Sequence, residues 1–224
     1  MPRLMSTLAL AGLLREATPA LEATLGARVT VELAPTRTLE TRIRAGERAD
    51  AAVLTAEAVA ALSAEGVLDG MTARPLAHSR VGLAVKAGTP HPDIATVDAL
   101  RQLLLAVPSL CYSRAGASGI FFAGLIERLG IADAVNAKAI VIPQGFTAEK
   151  LLTGEAAIAF QQISELMEVQ GIDVVGPLPE GAQTIAVFSG AAFTGTAHGA
   201  ALLDAVAALC TPDALRAKGL EAPG

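Results

Sequence analysis

Residues 28–55, RVTVELAPTRTLETRIRAGERADAAVLT, decide the fold. Residues 28–34 alternate, with Val29, Val31 and Leu33 on one face, which is the period of a half-buried strand. Pro35 interrupts that pattern, and residues 38–45 then follow a helical period. After Gly46 the chain reaches residues 51–54, a continuous apolar run of the kind found in strands buried on both faces. Strand, helix and strand in such quick succession make a βαβ unit, whose strands lie parallel with a right-handed crossover.

The same alternation extends in both directions. Arg3–Ser6 reads as a strand and residues 8–25 as a helix that Gly26 terminates. Residues 56–65 form the third helix, closed by Gly66. Residues 80–86 begin a second block, followed by a loop over 87–94 and by Thr96 as the cap of a helix with Asp98 in its first turn. Strands are expected at Leu110–Ser113, Ala139–Ile142, 156–160, 172–175 and 184–188, and helices at 118–129, 147–152, 196–209 and 212–218. The fold class is therefore α/β, two-lobed, each lobe a mostly parallel sheet flanked by helices. Lobe 1 is expected to hold residues 1–78 and 187–224, with lobe 2, residues 79–186, inserted through two hinge crossings.

Composition narrows the function. The chain is 52% hydrophobic with only 3% aromatic residues, so its core is built from Ala, Leu, Val and Ile. A net charge of −5, with no Lys/Arg run longer than two residues, argues against a nucleic-acid partner. No segment reaches the roughly 20 apolar residues of a membrane-spanning helix, so no membrane insertion is expected. Arg3–Ser6 already reads as the first strand, which predicts a cytoplasmic protein, or a periplasmic one if a leader has been removed. Cys111 and Cys210 read as two buried reduced thiols, a disulfide being the alternative. His78, His91 and His198 are scattered and no metal-ligand spacing exists, so neither metal nor cofactor is called for. Gly-x-Ser-x-Gly, Gly-Lys-Ser/Thr and Gly-x-Gly-x-x-Gly signatures are absent.

The loops carry a resemblance. Met5-Ser6-Thr7, Ala34-Pro35-Thr36-Arg37-Thr38-Leu39, the stretch 43–50, Ser113-Arg114-Ala115-Gly116-Ala117-Ser118-Gly119 and the closing stretch 203–220, with its Lys-Gly-Leu, together resemble the molybdate-binding proteins of bacterial ABC importers. That resemblance implies the type II periplasmic-binding fold, a small anionic ligand held between the lobes, and an ABC permease as partner if the protein is exported. It implies a ligand set of Ser6, Thr7, Thr36, Thr38, Ala117, Ser118 and Gly119, to which this chain's own departures would add Arg37, Arg114 and, after the strand at 156–160, Gln161 and Gln162. The physics agrees, because helix beginnings offer unpaired N–H groups and a partial positive charge to an anion. A Ser or Thr at a helix start also serves simply as an N-cap.

The chain departs from the family pattern where Arg37 replaces an expected serine and Arg114 lies in a second loop. An arginine fork pairs with a planar carboxylate, which favours an organic di- or tricarboxylate over molybdate. Tyr112 stands in the wrong strand for the family's tyrosine ligand. The same superfamily includes aconitate-isomerase-like members, so an isomerase that moves a double bond and a proton is the alternative to a binding protein. Such a step needs a proton-transfer group. His78, Tyr112 and Glu40 are the candidates, against plainer roles as a hinge residue, a core ring and a first-turn carboxylate.

Overall fold

A computed structural model describes residues 1–223, which form two compact units: residues 1–79 with 186–223, and residues 80–185. The chain opens with β1 (Arg3–Ser6), a 3-10 turn at Leu8–Leu10 and α1 (Ala11–Leu25), closed by Gly26 at φ 60°. It continues through β2 (Thr30–Leu33), α2 (Thr36–Arg44), β3 (Ala51–Thr55) and α3 (Ala56–Ala64) into β4 (Arg74–Lys86), the strand along which it leaves the first unit. The second unit holds α4 (Val97–Ala106), β5 (Leu110–Ser113), α5 (Ala117–Arg128), α6 (Ala132–Asn136) and β6 (Ala139–Ile142). It also holds α7 (Glu149–Leu152), β7 (Ile158–Gln162), α8 (Ile163–Leu166) and β8 (Ile172–Pro177). Along β9 (Ile185–Ala192) the chain returns to the first unit, which α9 (Gly199–Leu209) and α10 (Pro212–Ala217) complete.

In the first unit β1 lies between β2 and β3 and parallel to both, Leu4 pairing with Val31 and with Ala51. β9 then runs antiparallel to β3. Strand alternation splits the apolar run of β3 between two cores. Ala51 and Val53 join Leu4, Leu14, Leu203 and Val206 on one face, while Ala52 and Leu54 join Met5, Leu39, Ile43 and Leu62 on the other. Both faces are covered, which is why no polar residue interrupts this strand.

Two expected boundaries move here. α2 begins at Thr36 and not at residue 38, because Pro35 is itself the N-cap and its ring sets φ at −57°. Thr36, Arg37 and Thr38 are therefore the first helical turn. The first helix, expected from residue 8, starts as a 3-10 turn and becomes α-helical only at Ala11.

Arg3 and Arg42 each pair with both Glu32 and Glu47, a closed square of charges that ties β1, β2 and α2 together. Hydrogen bonds from Arg42 and then Arg3 pull the Glu47 carboxyl down to about 2, and Glu32 is also lowered. A depressed folded-state pKa contributes stability above the unfolded value, and that contribution is lost as pH falls. Acid unfolding should therefore begin below pH about 4.5 and continue toward about 2, and Glu47→Gln should flatten the melting temperature across that range. Parallel pH-melting curves for both proteins would refute the square's contribution.

In the second unit β5 is parallel to β6 and β7, and β4 is antiparallel to β7 and β8. Phe122 stacks on Phe160 at 4.3 Å and meets Tyr112 at 5.1 Å, filling a core in which aromatic residues are scarce. Thr96 caps α4 as expected, accepting from the Ala99 N–H at 3.1 Å. The strand expected at 156–160 is displaced to Ile158–Gln162. Pairing with β4, Val81 to Gln162 and Gly82 to Gln161, draws both glutamines into the ladder, so they do not follow the strand but end it. α6 and α8 were not anticipated, being too short for a helical period to show. The Gln183 side chain acts as a further ladder residue, accepting from Val81 N–H at 3.0 Å and donating to Val81 C=O at 2.9 Å.

Both cysteines are free thiols, Cys111 buried and Cys210 half-buried. Burial pushes them up to about 12 and about 11, so neither is a reactive thiolate. Among the described residues no helix is long and apolar enough to cross a membrane.

Candidate functional site

Parallel strands deliver their carboxyl ends, and the helix starts that follow, to one edge of a sheet. In the first unit that edge carries Ser6, Leu33 and Thr55. Ser6 sits between its neighbours: the Ala34 N–H donates to the Ser6 carbonyl at 3.1 Å, and the Thr7 N–H donates to the Val53 carbonyl at 2.9 Å. Thr7 is buried, and it precedes the 3-10 turn without capping it by its side chain. The Ser6 hydroxyl donates to the Thr7 carbonyl at 3.2 Å.

The next two helix starts differ. Thr55 caps α3 by accepting from the Ala58 N–H, whereas no side chain caps α2. Thr36, in the first turn of α2, is 6% exposed, and its hydroxyl has no hydrogen-bond partner. An uncapped first turn beside an unpaired buried hydroxyl is a set of neutral donors awaiting an acceptor. Arg37 is exposed and Thr38 half-buried on the same turn.

In the second unit the corresponding edge carries Ser113, Ile142 and Gln162. No side chain caps α5, whose N-cap is Gly116. Ser113 and Ser118 are buried to within 2% and 1%, and neither hydroxyl has a partner. Ser113 heads one of the stretches that carry the resemblance but was not in the expected ligand set.

Gly116 and Gly119 serve the packing of α5. A Cβ on Gly119 would lie 1.7 Å from the Ser113 carbonyl oxygen, and one on Gly116 would lie 2.6 Å from the Ser113 hydroxyl. Both glycines let α5 press against the end of β5; close approach to a ligand is not needed to explain them. Ala117 is the first residue of α5. Arg114 is exposed, its N–H donating to the Ile142 carbonyl at 2.8 Å. It lines a cavity of about 450 Å³ with Asn136, Ile120 and Val141.

The glutamine pair divides. Gln161 accepts from the Thr147 N–H at 2.7 Å and hydroxyl at 3.0 Å, and donates to the Gly145 carbonyl at 3.0 Å. It is committed to holding the 145–147 loop, contrary to a ligand-binding role for both glutamines. Gln162 is 1% exposed, and neither end of its amide has a partner.

The proton-transfer candidates are occupied or pinned. The Tyr112 hydroxyl donates to the Asn136 side chain at 3.0 Å, Glu40 pairs with Arg44 at 3.0 Å, and the His78 backbone is bridged to Glu221 in both directions. The carboxyl that the sequence reading overlooked is Glu165. It is 5% exposed, with Oε2 unpartnered. Burial pushes it up to about 7, against the lowering influence of the Gln162 N–H and the Gln161 amide. Its signal was available, since Glu165 stands three residues after the N-cap Gln162, the spacing of a capping box.

The comparisons with known proteins follow this geometry. The profile of the family described as bacterial extracellular solute-binding protein matches residues 3–221. Aconitate isomerase of a Pseudomonas species is 32% identical over 212 residues, which span 92% of this chain and 80% of that one. The periplasmic molybdate-binding protein of Azotobacter vinelandii superposes over the whole of both chains at a TM-score of 0.80 with 14% identity. The sulfate-binding protein SubI of Mycobacterium tuberculosis covers 98% of this chain, and 85% of its own, at a TM-score of 0.73 with 17% identity. The fold is that of the type II periplasmic binding proteins.

Proposed function

We propose that this chain, which belongs to the family of bacterial extracellular solute-binding proteins, binds a small organic di- or tricarboxylate through helix starts that no side chain caps. One observation carries the reading: the hydroxyls of Thr36, Ser113 and Ser118 are buried without partners, two of them in first turns that no side chain caps. Native proteins rarely leave buried polar atoms unpaired, and such orphans mark places where water, an ion or a ligand supplies the partner. Hydroxyls and amides suit any oxyanion. The exposed guanidinium groups of Arg37 and Arg114 on the same segments favour a planar carboxylate, which accepts two parallel hydrogen bonds. The aconitate isomerase relative points to the same ligand class by its name. An ABC-type permease is the partner this reading supplies when the protein works outside the cytoplasmic membrane.

A thermal-shift screen of inorganic oxyanions against di- and tricarboxylates tests the ligand class, because a ligand selective for the folded state raises the melting temperature. The largest shift should come from a tricarboxylate; molybdate exceeding every carboxylate would overturn the choice. Thr36→Val keeps the side-chain shape and removes the unpaired hydroxyl. It should leave the ligand-free protein no less stable while weakening carboxylate binding by about 2 kcal/mol, roughly thirtyfold. Unchanged affinity in calorimetry would remove Thr36 from the site.

A second reading, that the ligand is also isomerised, is favoured by the named activity of the 32% identical relative and by Glu165, a carboxyl titrating near neutrality. Incubation with cis- or trans-aconitate, followed by ultraviolet absorbance, should then show interconversion that Glu165→Gln abolishes. Absence of turnover in the unaltered protein would leave the binding role alone.

A further inference from the structure

Among the described residues of the second unit, the densest group of unsatisfied polar atoms lies where β7 turns into α8. Gln162, Ser164 and Glu165 are 1%, 4% and 5% exposed. Both ends of the Gln162 amide, the Ser164 hydroxyl and Glu165 Oε2 have no hydrogen-bond partner. Local structure accounts for only part of this. As in a capping box, Glu165 takes a hydrogen bond from the Gln162 N–H, and it takes another from the Gln161 amide. Nothing within the fold uses the other oxygen, the Gln162 amide or the Ser164 hydroxyl. Each such orphan costs the folded protein its full desolvation unless something else pairs it.

We infer that this corner is a binding subsite for one carboxylate of the ligand, with Gln162, Ser164 and the protonated form of Glu165 as its neutral hydrogen-bond donors. The assignment rests on the polycarboxylate reading above. An ionised Glu165 would repel the ligand, whereas the acid form presents one O–H. β4, which pairs with β7 at Val81–Gln162, carries Arg80 next to that pair, and the Glu168 N–H donates to the Glu165 carbonyl at 3.3 Å. β7, packed on α8, carries no titratable side chain, and β8 carries only Asp173, which is half-exposed, accepts from the Gly88 N–H at 3.0 Å and lies 3.9 Å from His91. Burial already holds Glu165 near 7, so a bound carboxylate raises it further and ligand binding takes up a proton.

Calorimetric titration with tricarballylate, a saturated tricarboxylate, tests the subsite at about pH 6, 7 and 8 in buffers of different protonation enthalpy. The unaltered protein should show net proton uptake near neutral pH and weaker binding as pH rises. The ligand's own ionisation is common to every variant and drops out of the comparison. Glu165→Gln should lose both the uptake and the excess pH dependence. Gln162→Met, similar in size but without the amide, should bind about tenfold more weakly at every pH. Ser164→Ala serves the same purpose should Gln162→Met fail to fold. Identical pH dependence with and without Glu165, or full affinity in the folded Gln162 or Ser164 variant, would overturn the subsite while the polycarboxylate reading stands. Failure of the unaltered protein to bind tricarballylate or any other polycarboxylate would bring down both.

Discussion

Gly119→Ala should destabilise the protein by at least about 3 kcal/mol, although alanine is the better helix former. Gly119 lies within the first turn of α5, where helix propensity alone would favour the change by about 1 kcal/mol. Contact reverses the sign. The new Cβ would sit 1.7 Å from the Ser113 carbonyl oxygen, which is backbone and cannot rotate away. Either α5 lifts off β5 or the end of β5 distorts, and both displace the Ser113 and Ser118 hydroxyls. Gly124, in the same helix, is the control. A Cβ there meets nothing nearer than the tip of Arg128 at 3.8 Å, so Gly124→Ala should be neutral or slightly stabilising. Urea unfolding of the two variants decides the matter. Equal stability would mean that the close approach of α5 to β5 is not maintained in solution.

The second large effect is that Glu165→Gln should stabilise the protein, and only at the upper end of the pH range. Glu165 has a folded-state pKa of about 7 against an ordinary value of 4.5. Between those values the folded chain holds a proton that the unfolded chain has released, so stability is highest below about 4.5 and declines as pH rises through about 7. Glutamine still accepts from the Gln162 N–H but never ionises. The variant should match the parent near pH 4 and exceed it near pH 8 by an amount on the order of 3 kcal/mol. Melting temperatures at the two pH values test this, and a difference between the proteins that does not change with pH would show that Glu165 is not held in its acid form.

How much of this was legible beforehand depended on whether a residue's surroundings are local. β1, β5 and β6, and the caps at Gly26 and Thr96, follow from short-range pattern, and the structure has them where the sequence predicts. β7 was misplaced by two residues because its end is set by pairing with β4, some eighty positions earlier in the chain. Thr36 and Ser118 were visible as hydroxyls at helix starts. That they lack partners, while Thr55 has one, depends on burial and capping that composition does not report. Gln161 and Gln162 look identical as letters; one faces the Thr147 amide and the other has nothing. The capping-box spacing of Glu165 after Gln162 was legible, but its burial was not, because that depends on apolar residues brought round it by the fold.

The chain order of the two units has a consequence for synthesis. Residues 80–185 form a contiguous unit whose strands are all present once β8 has left the ribosome. The first unit must wait, since β3 lacks its β9 neighbour, and α1 its partner α9, until residues 185–209 have been made. Residues 80–185 are thus able to fold ahead of residues 1–79, leaving the apolar strands β1 and β3 dependent on chaperones or on their own partial pairing until β9 and α9 arrive.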